Sequence, residues 1–484
     1  MACQLRVFMA SQGAAPRNRR SSHIRWEAIH DHNLGTPHLD GIGLARRRPG
    51  GDPDPDKEGA PMSDRSFHRN DWPTLGVEVE LQLVDAESMA LRSAIADVLA
   101  HLPGDLHASA KQELVQSCVE INSDTCRSVA EVGADLSRKI MAVERAADRC
   151  GTRLLWAAAH PFSHWRDQDI TPDERYAGLV ETHQIAVVRH VVFGLHVHVG
   201  VDSGDKAVVL CDRLQRHLPL LLALSANSPY WCGRPTGLHS HRTQVLEGSP
   251  FSGPPPRMRS WGDYLATLDR LFTAGFIHSV KDLWWDLRPN PVYGTVEVRI
   301  CDMPPDLASV LGLTALIQCL VHRLSEQIDR GDCLPEDDPL LVRQNRWRAC
   351  RYGLGAVLVD PVTLEATPAR QAAEHLAVRL RPASEWLGCA EDLDQVPALA
   401  ARPTGSERQI ALHEETGDLA RMVRQFVRQS RLTTEDGFAP VRAPGHLGGS
   451  VVDDWMTAPR PLLDPHGSGG RPTHLTGPWP ARRD

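Results

Sequence analysis

The chain has 484 residues, of which 42% are hydrophobic and 24% are charged, a composition typical of a globular protein with a buried core. Its formal net charge of −8 argues against a nucleic-acid-binding protein, so any anionic substrate would need local arginines or metal ions. The 11 cysteines include no CxxC pair, which argues against a zinc ribbon and against a disulfide framework.

Composition divides the chain into three parts. Residues 1–70 are rich in Arg, Gly, Pro and Asp and are predicted to be a disordered extension, or to lie upstream of a true start near Met62. Residues 71–433 carry regular hydrophobic patterns and predict one domain, whereas the Pro- and Gly-rich residues 434–484 predict a flexible tail. Because the sequence shows no secretory signal and no run of 18 apolar residues, a cytoplasmic protein is expected.

Three segments alternate apolar and polar residues, the pattern of strands that bury one face: Leu75–Val84, Val191–Val201 and Thr295–Ile300. Helical patterns fill much of the remaining domain, at Val129–Cys150, Lys206–Ser225, Trp261–Thr273, Leu307–Asp329, Pro368–Leu380 and Ser406–Arg431. Strands without a regular strand–helix repeat predict an α+β fold. No GxxxxGK[ST] or GxGxxG motif follows a strand, so a bound nucleotide would need another kind of site.

The polar faces of these three strands carry an unusual set of side chains. They are Glu78, Glu80, His196, His198, Glu297 and Arg299. Neighbouring carboxylates repel each other unless solvent or cations neutralise them, and Mg²⁺ prefers carboxylate and phosphate oxygens as ligands. An arginine beside them offers a planar set of donors to phosphates. The pattern therefore favours a metal–phosphate site, with a partly solvated sheet face as the alternative.

The segment Glu113–Cys126 adds two more glutamates. If it is helical, the seven-residue spacing places Glu113 and Glu120 on one face of the helix. If it is extended, the odd spacing places them on opposite faces. Asn122 and Asp124 then fall in a turn-forming run. The spacing leaves both conformations open, and a solvated helix is an ordinary alternative to a ligand site.

Two later segments supply candidate contacts to substrates: the polar loop of residues 223–245 and the amphipathic stretch of residues 345–356. The candidate residues are Asn227, Arg234, Arg242, Arg348 and Arg351. The Gly, Pro and Ser content of the loop suits the rim of an active site, although a plain surface loop is equally consistent. Two arginines three residues apart are more often a solvated helix face than a ligand site.

Taken in order, these segments resemble the glutamate–cysteine ligase type 2 family of bacterial carboxylate–amine ligases. The resemblance is carried by the ordered motifs GVEVELQLVD, ELVQSCVEINSDTC, ERYAGLVETHQIA, GLHVHVGV, ALSANSPYWCGRPTG, DLRPNPVYGTVEVRICDMP and NRWRACRYGL. It covers Leu75–Leu354 strongly and the helical region up to Arg431 more loosely.

The resemblance implies the glutamine-synthetase-like catalytic fold, a curved and mainly antiparallel sheet that forms a trough backed by helices, within residues 71–433. It implies ATP and Mg²⁺ as cofactors, the metal being held by Glu78, Glu80, Glu113, Glu120, His196 and Glu297. The implied catalytic residues are Glu297 and Arg299, with Arg299 stabilising charge on the transferred phosphoryl group. Nucleotide contacts are predicted at Arg299, Arg348, Arg351 and Asn122, and substrate contacts at Arg242, Arg234 and Asn227. His198 belongs to the motif without an assigned role.

The implied reaction activates a carboxylate with ATP as an acyl phosphate and then joins it to an amine, so the chain would be an ATP-dependent acid–amine ligase. Glutamate and cysteine, giving γ-glutamylcysteine in a weak reaction, are the default pair of the family. Two alternatives stay open: a ligase for another amino acid and amine, and a metal-dependent hydrolase that uses the same Glu/His face. The expected partners are small molecules, with no nucleic acid and no membrane, and a homodimer is compatible with the sequence.

Overall fold

Antiparallel strands form the central sheet of the computed structural model, which describes residues 66–333, 335–434 and 437–438. In chain order the strands are β1 (Leu75–Asp85), β2 (Ala110–Gln112), β3 (Cys118–Asn122), β4 (Thr152–Leu155), β5 (Leu195–Gly200), β6 (Tyr230–Trp231), β7 (Arg234–Pro235), β8 (Leu287–Asn290), β9 (Thr295–Val298), β10 (Val357–Val359), β11 (Ala366–Pro368), β12 (Thr433–Thr434) and β13 (Gly437–Phe438). The main sheet has the order β2–β3–β1–β5–β9–β8, and β4 pairs with the last four residues of β1. The other strands form the small pairs β6–β7, β10–β11 and β12–β13.

The register of the sheet aligns the polar residues of five strands in adjacent rows. Glu80 of β1 lies opposite Glu120 of β3. In the next row Glu78 lies between Asn122 and His196, and in a third row Glu297 lies between His198 and Arg288. Because alternate residues of a strand share a face, all these side chains project from the same side of the sheet.

The helices described are α1 (Ile95–Ala100), α2 (Val129–Arg149), α3 (Glu174–His183), α4 (Ile185–Val188), α5 (Gly204–Leu214), α6 (Leu218–Ser225), α7 (Arg242–Leu246), α8 (Trp261–Thr273), α9 (Leu307–Asp329), α10 (Pro339–Tyr352), α11 (Ala369–Leu387), α12 (Ala390–Leu393), α13 (Gln395–Ala401), α14 (Gly405–Thr416) and α15 (Leu419–Ser430). The helices α2, α5 and α9 pack against the sheet. They cover its apolar face, where the alternating valines of β1, β5 and β9 are fully buried. The predicted α+β fold, an antiparallel sheet backed by helices, is confirmed.

The long helix α9 is the core helix of this layer. Among the described residues it is the helix that is long and apolar enough to cross a membrane, and 78% of that apolar window is buried inside the fold. Burial among other protein elements accounts for its apolar sequence, because a helix that is hydrophobic on most sides must be covered on most sides.

Some of the helices have the predicted bounds, and others are longer than predicted or are divided into two. Trp261–Thr273 and Leu307–Asp329 match α8 and α9. The prediction Ser406–Arg431 was wrong in being continuous, because Gly417 adopts φ +65° and ends α14. Asp418 then caps the new helix α15 by accepting a hydrogen bond from the Arg421 N–H.

The segment Lys206–Ser225 also forms two helices, since the 3₁₀ turn Gln215–His217 separates α5 from α6. The second predicted strand is shorter than expected, with only Leu195–Gly200 in the ladder. The predicted extension 1–70 and the predicted tail 434–484 lie outside the described residues, apart from residues 66–70, 434 and 437–438.

Candidate active site

Four glutamates meet at one end of the polar sheet face. Glu78 and Glu80 project from β1, and Glu120 faces Glu80 from β3. Glu113 lies in the loop before β3, where the Tyr176 hydroxyl donates a hydrogen bond to its Oε2 over 3.3 Å. Neither conformation considered for Glu113–Cys126 is correct: the chain turns at residues 114–117, and the turn brings Glu113 beside Glu120.

Like charges dominate this acidic end. Burial raises the pKa of Glu120 well above its usual range, and the charges of Glu78, Glu113 and Glu80 raise it further. Burial likewise raises the pKa of Glu113, with the charge of Glu80 adding to the effect. The charge of Arg175 lowers the pKa of Glu113 but does not offset the effect of burial, so the buried carboxylates at this end carry more negative charge than their neighbours balance.

Two histidines occupy the middle of the face. His196 Nδ1 lies 3.1 Å from Glu78 Oε2, and His198 Nε2 lies 3.4 Å from Glu78 Oε1. Burial alone would raise the pKa of Glu78, but these two histidines hold it well below its usual range. Burial and the charge of Arg299 lower the pKa of His196, whereas Glu297 and Glu78 raise that of His198 against the effect of burial.

The opposite end of the face is a closed ion-pair network around Glu297, whose side chain is only 1% exposed. Arg288 Nε donates to Glu297 Oε2 over 2.9 Å and its Nη2 donates to Oε1 over 3.2 Å. Arg299 Nη1 also donates to Oε1. Burial would raise the pKa of Glu297, but the two guanidinium groups hold it well below its usual range. Each carboxylate oxygen therefore has a charged donor.

The acidic end fits a hard divalent cation on its donor chemistry. Its carboxylates supply only oxygens, and the raised pKa values of Glu113 and Glu120 call for a positive charge. Glu78, His198 and Glu297 form a further group whose ligand atoms lie within 4.8 Å of one another. Glu297 already accepts hydrogen bonds from two arginines, so its oxygens are less free to bind a metal than those of Glu113 and Glu120. The metal roles of Glu78, Glu80, Glu113, Glu120 and His196 stay predictions. A metal role for Glu297 stays a prediction.

A cavity of about 130 Å³ opens beside Glu80, His196 and Arg299. Two further arginines, Arg175 and Arg242, line it together with a largely apolar wall. That wall is formed by Leu114, Val115, Leu179, Val187, Val192, Phe193, Leu246, Trp284 and Trp285. The cavity thus offers cationic donors and apolar surface next to the carboxylate and arginine groups of the sheet.

Among the predicted substrate residues, the structure brings Arg242 to this cavity and places Asn227 elsewhere. Arg242 is buried, and its guanidinium donates to the backbone oxygens of Ile300 and Arg299 over 3.2 and 3.1 Å. Its Nε is buried without a partner among the described residues. The Asn227 amide instead donates to Trp156 O and Met303 O, both over 2.8 Å, and so holds the core together.

The remaining predicted contacts lie outside the cavity or at its edge. Arg234 is exposed on β7, and Arg348 is exposed on α10 with its Nη1 donating to Val357 O over 3.0 Å. Arg351 stacks over Tyr352 with 4.8 Å between its Cζ and the ring centroid. Asn122 lies on the polar face opposite Glu78. The nucleotide and substrate roles of these residues stay predictions.

Two residues of the site had no role assigned from the sequence. Arg288 pairs with Glu297 because β8 and β9 form a hairpin. The turn-forming residues Asn290–Gly294 between two alternating segments could have predicted that pairing. Tyr176, which contacts Glu113, lies 63 residues from it in the chain, and no local pattern signals such a contact.

Comparison with known proteins finds relatives of this chain among the glutamate–cysteine ligases. The sequence profile of glutamate–cysteine ligase family 2 matches residues 74–425. The chain is 41% identical to an assigned glutamate–cysteine ligase 2 of Thermobifida fusca, over 75% of this chain and 92% of that protein. It is 38% identical to an assigned glutamate–cysteine ligase 2 of Gloeobacter violaceus, over 74% of this chain and 96% of that protein.

Solved structures with a similar fold include a synthetase and a ligase of low sequence identity. A bifunctional glutathione synthetase from Pasteurella multocida superposes with a TM-score of 0.57 at 14% identity, over 76% of this chain and 52% of that chain. A glutamate–cysteine ligase from Francisella tularensis, in complex with AMP, superposes with a TM-score of 0.55 at 13% identity, over 75% of this chain and 90% of that chain. At these identities the likeness is one of fold, and it confirms the predicted fold class.

Proposed function

Because the chain belongs to glutamate–cysteine ligase family 2, we propose that it is an ATP- and Mg²⁺-dependent ligase that joins a carboxylate to an amine through an acyl phosphate. Glutamate and cysteine, giving γ-glutamylcysteine, are the first pair to test, and a different amino acid with a different amine is the alternative within the same reaction. A cytoplasmic location is part of the same proposal.

One observation carries the proposal: a single sheet face holds four repelling glutamates at one end and a paired arginine at the other, with a cavity between them. Glu80 and Arg299 both line that cavity. Carboxylates without a counter-charge can bind a metal ion that also binds the phosphates of ATP. An arginine beside them can donate hydrogen bonds to the phosphoryl group that is transferred from ATP. A carboxylate substrate in the cavity would lie next to both ends.

The chemistry requires that a carboxylate anion approach a polyphosphate. At about 4 Å two unit charges repel by roughly 1 kcal/mol in water, and by several times more in a cleft of low dielectric. Bound Mg²⁺ would neutralise the phosphates and orient them, held by Glu78, Glu80, Glu113 and Glu120. Arg299, fixed by Glu297, would stabilise the charge that develops on the transferred phosphoryl group.

The cavity residues account for how the carboxylate would be held. Arg175 lines the cavity, where its Cζ lies 5.6 Å from the centroid of the Tyr176 ring and its charge acts on Glu113. Arg242 is a second arginine in the cavity lining, and its Nε is buried without a hydrogen-bond partner among the described residues. Two guanidinium groups suit the carboxylates of an amino acid, and the apolar wall suits an uncharged side chain such as a thiol or an aliphatic group.

An ADP-release screen tests the proposal directly. Purified full-length protein is incubated with ATP, Mg²⁺ and pairs of amino acids, and the products are identified by mass spectrometry. ADP release is expected only when a carboxylate, an amine and Mg²⁺ are all present, and chelation with EDTA should abolish it. Absence of ADP release with every pair, together with Mg²⁺-dependent cleavage of an added amide such as γ-glutamylcysteine without ATP, would instead indicate the metal-dependent hydrolase.

The variant Arg299→Ala is expected to lower the rate of ADP release by about 10²-fold or more, because a donor to the developing phosphoryl charge is lost. Arg421→Ala, which removes an exposed arginine on α15, is the matched control and should keep the wild-type rate. Turnover within a few-fold of wild type in Arg299→Ala would contradict the role proposed for Arg299.

A further inference from the structure

A second cavity, here called the rear cavity, lies among the helices rather than on the sheet. It has a volume of about 350 Å³ and is formed by α5 with the following turn, α9 and α11. Since α5 and α9 pack on the apolar face of the sheet, the rear cavity is separated from the candidate active site by the sheet. None of its lining residues is one of the predicted site residues.

The rear cavity is strongly basic in a chain whose net charge is −8. Its charged lining residues are four arginines and one aspartate: Arg213, Arg216, Arg323, Arg379 and Asp337. The rest of its lining consists of leucines of α9 and α11 together with His217, Gln327 and Pro335. Charges beside apolar surface act in a lower effective dielectric, so this excess of positive charge attracts anions more strongly than an exposed cluster would.

The four arginines differ in how far they are already neutralised. Arg216 Nη2 lies 2.6 Å from Asp337 Oδ1 and 3.8 Å from Asp360 Oδ1, but its Nε is buried without a hydrogen-bond partner among the described residues. Arg213 Nη1 donates to Pro335 O over 2.8 Å, and its Nε lies 3.8 Å from Asp212 Oδ2. Arg323 forms a 3.4 Å ion pair with Glu326 in which both side chains are 44% exposed, and such a pair is weak. Arg379 is exposed and has no ion pair recorded within the described ranges.

His217, which also lines the rear cavity, is affected by the charges of the arginines. Burial, and then the charges of Arg216 and Arg379, lower the pKa of His217 to about 3. His217 is therefore neutral at physiological pH and does not add to the charge of the rear cavity. A further cavity of about 600 Å³ shares Arg216, His217 and Arg379 as lining residues, so a bound molecule has room to extend beyond the arginines.

We propose that the rear cavity binds a small multivalent anion, either a phosphate ester or a polycarboxylate, with Arg216 and Arg379 as its main contacts. Both kinds of anion match the paired donors of a guanidinium group. The site is independent of the catalytic proposal, because no residue of the polar sheet face takes part in it.

Isothermal titration calorimetry on the full-length protein tests this inference, with pyrophosphate and citrate as the probes. The titrations are made in EDTA at constant ionic strength, and in an Arg299→Ala background, so that binding at the polar sheet face is suppressed. At least one probe is expected to bind, and Arg379→Ala should weaken that binding by about tenfold or more. Tighter pyrophosphate binding would assign a phosphate-bearing ligand, and tighter citrate binding a polycarboxylate.

Arg421→Ala is the matched control, since it removes an equally exposed arginine from a different element. Arg379 is exposed, so its replacement leaves the core intact and the folded variant can be checked by its unfolding temperature. Failure of both probes to bind at millimolar concentration would overturn the proposal. Equal weakening by Arg379→Ala and Arg421→Ala would overturn it as well, because binding would then follow overall charge.

Discussion

The two ends of the polar sheet face have opposite electrostatics. At the acidic end the pKa values of Glu113 and Glu120 are raised, first by burial and then by neighbouring carboxylates. At the arginine end burial acts on Glu297 in the same way, but Arg288 and Arg299 lower its pKa well below the usual range. Burial favours the protonated carboxyl at both ends, but the final pKa shifts are opposite, because the neighbouring charges decide their sign.

The two ends differ in where their positive charge comes from. The arginine end has its counter-charges built into β8 and β9, so Arg299 is held in place before any substrate arrives. Preorganised donors of this kind need no rearrangement during a reaction. The acidic end lacks its counter-charge, and under the proposed function the cation supplies it.

The largest effect is expected from breaking the arginine end. Glu297→Gln leaves two buried guanidinium groups without their carboxylate, and removing one partner of a buried ion pair typically costs about 3–5 kcal/mol. The free energy of unfolding, measured by urea denaturation, should fall by that amount. Glu374→Gln on the exposed side of α11 should leave it unchanged. Equal stability of Glu297→Gln and wild type would show that the network contributes nothing.

The pH dependence of the unfolding free energy tests the two ends further. The contribution of His160, which lies outside the polar face, must first be separated from it. Burial lowers the pKa of His160 to about 4, and its Nδ1 accepts hydrogen bonds from the N–H groups of Phe162 and Ser163. The unfolded state, with a pKa near 6.5, binds the proton first. Stability from His160 is thus complete above about pH 6.5 and is lost as the pH falls towards about 4, by about 3 kcal/mol.

The variant His160→Asn isolates this contribution, because an amide oxygen can accept the same hydrogen bonds without titrating. The unfolding free energies of wild type and variant, measured by urea denaturation between about pH 4 and pH 7, should converge as the pH falls. Parallel curves would mean that His160 does not titrate in this range, and the acid sensitivity would then have to come from the polar face.

The smallest effect is expected at the acidic end and has the opposite sign. Glu120→Gln removes one of the repelling carboxylates, so the metal-free protein in EDTA should become more stable by about 1 kcal/mol. Added Mg²⁺ should raise the unfolding temperature of wild type more than that of the variant, because the variant has lost a ligand oxygen. A loss of stability in EDTA would show that Glu120 is not repelled by its neighbours.

The sequence was informative wherever a strict local pattern existed. Alternation in Leu75–Val84 and Thr295–Ile300 predicted which side chains share a face, and the structure aligns Glu78, His196 and Glu297 on one face. Gly417, although visible in the sequence, was not used to divide the last helix. A glycine at a left-handed position ends a helix regardless of the apolar pattern that continues beyond it.

Long-range contacts were beyond the reach of these patterns. The contact of Tyr176 with Glu113 and the burial of Asn227 in the core depend on how distant segments pack. The pairing of Arg288 with Glu297 is intermediate between a local pattern and a long-range contact. It can be predicted from hairpin geometry, but only once β8 is recognised as a strand. Composition could not reveal the rear cavity either, because its four arginines come from four separate elements.

The central claim is that the polar face activates a carboxylate by transferring a phosphoryl group to it. Its most direct test uses a substrate acid labelled with ¹⁸O in the reacting carboxyl group, identified first in the ADP-release screen. If an acyl phosphate forms and the amine then displaces phosphate, the inorganic phosphate released by wild type should carry one ¹⁸O atom from the acid. Unlabelled phosphate, released together with ADP and the amide product, would contradict the account.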